Sequence, residues 1–73
     1  MIAIQNLTFD NDTMSLRIDG KQINIPLSKV SIKLKDASDI QRNFYKISPS
    51  DYGIHWPLID EDLSVEALLK LAA

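Results

Sequence analysis

Cysteine is absent from this chain and histidine occurs once. Disulfides and thiolate nucleophiles are thereby excluded, and a four-coordinate zinc site would have a single nitrogen donor to draw on. No nucleophile-elbow motif is present, so the lone His55 lacks the second positioned group that acyl transfer requires. Apolar residues make up 45% of the sequence, yet no run of them approaches the roughly 20 residues that span a bilayer. Met1-Ile2-Ala3-Ile4 has neither the basic start nor the long apolar middle of a secretion signal. The expectation is a cytoplasmic protein without cofactor, metal or membrane attachment, in a reducing setting where cysteine pairs would not form.

The 73 residues leave room for one domain, residues 1–73. A chain this short buries about 60% of the surface it exposes when unfolded. Its core supplies about 3–5 kcal/mol unless disulfides, metal or association add to it. With the first two set aside, binding to a second copy or to another protein is the remaining source of stability. A charged fraction of 25% argues for a folded rather than a disordered chain. The net charge of −2 conceals an asymmetry. Residues 28–46 carry Lys29, Lys33, Lys35, Arg42 and Lys46 against Asp36 and Asp39, a net +3. Residues 51–73 carry Asp51, Asp60, Glu61, Asp62 and Glu66 against Lys70, a net −4.

The first 27 residues predict three antiparallel strands. Met14, Leu16 and Ile18 alternate with polar residues, as do Ile23, Ile25 and Leu27, and Asp19-Gly20 between them is the pair that a type I′ hairpin turn favours. A two-residue loop sets Ile18 opposite Lys21, Leu16 opposite Ile23 and Met14 opposite Ile25, a register that puts the apolar sets on one face. In the first strand Ile2 and Ile4 share one parity and Leu7 and Phe9 the other. A bulge near Gln5-Asn6 restores a single inward face. Asp10-Asn11-Asp12 makes the following turn. Phe44–Ser48 and Ile54–Trp56 read as two further short strands joined by a loop from Pro49 to Gly53, and a final helix starts at Ser64. Ser64 serves as its N-cap, and Val65, Leu68, Leu69 and Ala72 fall on one helical stripe. Residues 28–43 stay ambiguous, because Val30, Ile32 and Leu34 alternate as a strand would.

The string Tyr52-Gly53-Ile54-His55-Trp56-Pro57, followed by Asp60-Glu61-Asp62-Leu63-Ser64-Val65 and Leu68-Leu69, resembles the small bacterial domain of unknown function 2442 family. Weaker matches precede it in Asp19-Gly20, Pro26-Leu27-Ser28, Leu34, Ala37-Ser38 and Gln41-Arg42. The resemblance implies an α+β fold: a small antiparallel β-sheet of about five short strands, with short helices and a C-terminal helix. It favours two helical turns, about 28–34 and 38–43, over a strand in the ambiguous segment, the second capped by Ser38. It carries over no catalytic residue. Many members look like the antitoxin half of a toxin–antitoxin pair, which implies a small protein partner, the toxin encoded next to this chain.

Each singled-out residue then has two readings. If Ile54 and Trp56 point inward, His55 points outward by strand parity, as an interface or structural histidine. Asp60, Glu61 and Asp62 are either a solvated loop before the last helix, favoured by its dipole, or an anionic patch that meets a basic partner. They lack the glycine and the spacing of a calcium loop. Trp56-Pro57 is expected in the core with Leu16, Ile23, Ile25, Val65 and Leu68. Tyr52, His55, Asp60, Glu61 and Asp62 form the expected interaction end. Leu69 and Leu71 offer a contact for a homodimer. A nucleic-acid-binding or transcription-regulating accessory role would use the basic face from Lys29 to Lys46, though the domain is acidic overall and lacks a row of stacking aromatics. An enzyme would need a pair such as Asp60 with His55.

Overall fold

The computed structural model describes residues 4–49 and 52–72. Strands β1 (Ile4–Asp10), β2 (Thr13–Ile18) and β3 (Lys21–Pro26) form an antiparallel meander in that order. Asp19 and Gly20 both take positive φ, 54° and 84°, as a type I′ turn requires. Ile18 then faces Lys21, Leu16 faces Ile23 and Met14 faces Ile25, the register that the alternation predicts. In β1 the pairing slips between Gln5 and Thr8, and Asn6 sits there at φ 55°. This bulge lets Ile4 and Leu7 both turn inward. Ile2, expected beside Ile4, lies outside the described residues.

Pro26 pairs with Thr13 as the last residue of β3 and has no N–H with which to extend a ladder. The chain leaves the sheet there, with Leu27 N donating to Asp12 O at 2.7 Å. Two short helices follow, α1 (Leu27–Val30) and α2 (Ile32–Lys35). They are separated by Ser31, whose backbone is extended and whose Oγ accepts from Leu34 N at 3.2 Å. Leu27 and Leu34, two turns apart, are fully buried, whereas Ile32 is exposed; the alternation of Val30, Ile32 and Leu34 is therefore not the face of a strand. Helix α3 (Asp39–Asn43) opens with a capping box, in which Gln41 N donates to Ser38 Oγ and Ser38 N donates to Gln41 Oε1.

A second antiparallel sheet contains β4 (Lys46–Ile47), β5 (Gly53–Trp56) and β6 (Glu61–Ser64), with β5 central. The fold is α+β, but among the described residues six strands stand in two sheets rather than about five in one. The strand expected over Phe44–Ser48 contracts to Lys46–Ile47. The acidic stretch expected as a loop is in part strand β6. Its Glu-Asp sequence has poor strand propensity, which pairing with β5 and the inward turn of Leu63 override. Between β5 and β6 residues 57–60 form the turn, closed by Asp60 at φ 52°. Pro57 is exposed there and not in the core. Its fixed φ suits the start of a turn, while Trp56 alone points inward.

Helix α4 (Val65–Ala72) is capped by Ser64, whose Oγ accepts from Ala67 N at 3.1 Å. Val65 and Leu68 are buried, but Leu69 and Leu71 are exposed and the apolar stripe is narrower than the sequence suggests. Both sheets and the helices share one core, in which Leu16, Ile23, Ile25, Trp56, Val65 and Leu68 meet Met14, Ile18, Leu27, Leu34 and Ile54.

Among the described residues one charged side chain is buried within this framework. Arg42 is 7% exposed. Its Nε donates to Leu34 O at 2.9 Å, Nη1 to Asn11 O at 2.9 Å, and Nη2 to Lys35 O at 2.8 Å and Asp12 Oδ1 at 3.1 Å. The guanidinium also lies over the Phe9 ring. Arg42 therefore joins the end of α2 to the β1–β2 turn and is not part of a basic outer face. Its own carbonyl accepts from Trp56 Nε1 at 2.9 Å, which ties the second sheet to the same knot.

Candidate functional site

Parity along β5 decides what the second sheet shows to solvent. Ile54 and Trp56 are buried, so Gly53 and His55 face outward. Lys46 is opposite His55 and His55 is opposite Asp62, which makes one polar row across the three strands. The next row runs from Ser48, whose N donates to Gly53 O at 3.0 Å, through Gly53 to Ser64. His55 Nδ1 and Asp62 Oδ1 are 2.7 Å apart, with side chains 43% and 75% exposed. At that exposure the contact contributes about 1 kcal/mol or less to stability. Its consequence is orientation: Asp62 holds Nδ1, and Nε2 is the ring atom left to meet a ligand.

Over these rows lies a groove of about 560 Å³ with mostly apolar walls, bounded by Ile47, Pro49, Tyr52, Gly53, His55 and Ser64. Ser48 Oγ accepts from Tyr52 N at 2.7 Å and from Gly53 N at 3.1 Å, which fixes the return of the chain into β5. Tyr52 O accepts from Val65 N at 2.9 Å, so the groove wall is also anchored to α4. The Tyr52 ring itself is largely exposed. The floor is bare for a steric reason. A Cβ at Gly53 would stand 2.7 Å from Leu63 O, a backbone atom that cannot swing away. Gly53→Ala should therefore cost about 1–3 kcal/mol through displacement of β6 from β5, read as a lower urea midpoint with an unchanged slope.

Of the acidic triplet, Asp60 and Asp62 are exposed and Glu61 is half-buried. Glu61 turns toward the body of the protein, where Oε2 accepts from Ser31 Oγ and Oε1 from Asp62 N at 3.0 Å. Asp60 contributes its backbone carbonyl to Lys33 Nζ at 3.0 Å. Only Asp62 stands in the polar row, and it, rather than Asp60, pairs with His55. Of the residues singled out from sequence, Tyr52, His55 and Asp62 come together at the groove. Lys46, read from sequence as part of a basic face, joins them, and Ile47, Pro49 and Gly53, not among the candidate site residues, complete the lining. A glycine beside an apolar strand was the available signal; the partner strands of β5 were not readable locally.

Among the described residues no three His, Asp or Glu side chains gather into a metal-binding group, and no helix is long and apolar enough to cross a membrane. Of the basic segment, Lys29, Lys35 and Lys46 are exposed, Lys33 is engaged by Asp60, and Arg42 is buried. Comparison with curated proteins and with solved structures gives no match. The family described as "Protein of unknown function (DUF2442)" matches residues 4–73, nearly the whole chain. The chain belongs to the DUF2442 family.

Proposed function

We propose that this domain is a non-enzymatic protein-interaction module, an antitoxin-like partner of a small toxin made from the neighbouring gene. The observation that supports this reading is the apolar groove on the outer face of the second sheet, with Tyr52 exposed at its wall and the His55–Asp62 pair at its rim. Large exposed aromatics beside fixed polar groups are the usual anchors of protein interfaces. Inhibition is steric: the partner's working surface is covered, and both small proteins gain stability from the contact. Asp60 and Asp62, both exposed, guide a basic partner into register. Leu69 and Leu71 on α4 provide a separate apolar surface for a homodimer.

Coexpression with the neighbouring gene tests the reading. The two products should copurify, and this chain should relieve the growth arrest that the neighbour causes alone. The double reversal Asp60→Lys with Asp62→Lys should weaken the complex at least tenfold while the domain keeps its amide spectrum. A neighbour that neither arrests growth nor copurifies would refute the antitoxin role, and unchanged affinity would remove the two acids from the interface.

A further inference from the structure

The polar row and the groove beside it have complementary chemistry. Lys46 and His55 are directly opposite across β4 and β5 and share the outer face, so their Cβ atoms are roughly 5 Å apart. Among the described residues no carboxylate pairs with Lys46, whereas His55 is already held at Nδ1 by Asp62. Two nitrogen donors at this spacing suit one carboxylate. Asp62 occupies the Nδ1 edge of His55 and leaves Nε2 for the incoming group, with Lys46 on β4 and Asp62 on β6 the charged groups that flank the ring. The space next to this pair is mostly apolar, beside Pro49 and Tyr52, and its floor carries no side chain because a Cβ at Gly53 would meet Leu63 O.

An anion adjoining an apolar group within the span of one residue describes the end of a polypeptide. There alone does a chain bear its carboxylate on the same carbon as an apolar side chain. An internal Asp or Glu brings the charge without the apolar group. β4 is also an edge strand, with no strand beyond it among the described residues, so an incoming chain has a backbone to follow as it enters.

We infer that the groove receives the C-terminal residue of the partner protein, its carboxylate between Lys46 and His55 and its apolar side chain against Pro49 and Tyr52. This rests on the interaction reading above and adds the part of the partner that is grasped. The Lys46 charge and the groove then select a free terminus ending in a large apolar residue.

The test is titration of ¹⁵N-labelled protein with acetyl-Gly-Ala-Gly-Leu as the free acid, with the same peptide amidated at its end, and with 4-methylpentanoate as a small acid of like chemistry. The free-acid peptide should shift the amides of Gly53, His55 and Ser64 saturably. The amidated peptide and the small acid should each bind at least tenfold more weakly. Lys46→Ala, an exposed change that leaves the remaining amide spectrum in place, should weaken the free-acid peptide at least tenfold, and Lys46→Arg should restore most of the binding. Equal binding of the amidated peptide would overturn the carboxylate assignment, and equal binding of 4-methylpentanoate would overturn the polypeptide end. So would the absence of any shift at millimolar peptide. If the neighbouring gene product copurifies as firmly with the Lys46→Ala chain as with the original, the inference falls and the interaction reading stands.

Discussion

Replacing Arg42 with alanine is expected to unfold most of the population at room temperature. The side chain satisfies three backbone carbonyls, those of Asn11, Leu34 and Lys35, and leaving buried acceptors without donors costs about 1–3 kcal/mol each. The ion pair with Asp12 is the minor part, because that carboxylate is 64% exposed and well screened. Water will reach some of the freed groups, so a total of about 3–5 kcal/mol is the reasonable sum. That equals the whole stability expected of a domain this size. Arg42→Lys should fail nearly as badly, since an ammonium cannot place donors on three carbonyls and a carboxylate at once. Circular dichroism through a urea titration is the measurement. An alanine variant with a cooperative transition near the original midpoint would show that the Arg42 side chain is not what fastens α2 to the β1–β2 turn.

The second large effect is expected at Trp56. The ring is fully buried, packs against Tyr45 with ring centres 6.2 Å apart, and donates Nε1–H to Arg42 O at 2.9 Å. Trp56→Ala removes the largest side chain of the core and should cost about 3–5 kcal/mol, again enough to unfold the domain. Trp56→Phe keeps most of the packing and leaves the Arg42 carbonyl without its donor, for which about 1–2 kcal/mol is expected. In the original chain Trp56 fluorescence should be blue-shifted and resist acrylamide until urea unfolds it. Ready quenching in the native state would contradict the buried position.

What could be read in advance was what neighbouring residues decide between themselves. Asp19-Gly20 sets its hairpin and thereby the facing of Leu16 with Ile23. The parity conflict between Ile4 and Leu7 calls for the bulge that Asn6 makes, and Ser38 and Ser64 cap the helices that follow them. His55 pointing outward follows from Ile54 and Trp56 pointing in. What depends on distant partners was hidden. Glu61-Asp62 becomes a strand only because β5 pairs with it. Lys46 enters the site only through its register with His55. Arg42 reads as surface charge until three separate carbonyls converge on it, and Pro57 follows a core tryptophan while itself occupying a turn. The groove belongs to this second kind, since its floor is set by the approach of Leu63 O to Gly53.

The left-handed Asn6 has a consequence for how copies of the domain behave in a crowd. β1 is seven residues long and borders the first sheet, the kind of border on which identical chains zip together into aggregates. With the slip at Asn6, neither half of the strand offers a long flat row of donors and acceptors, and the added twist turns the two halves away from a common line. The irregularity that rescues the inward face of β1 also guards its outer margin against self-templating.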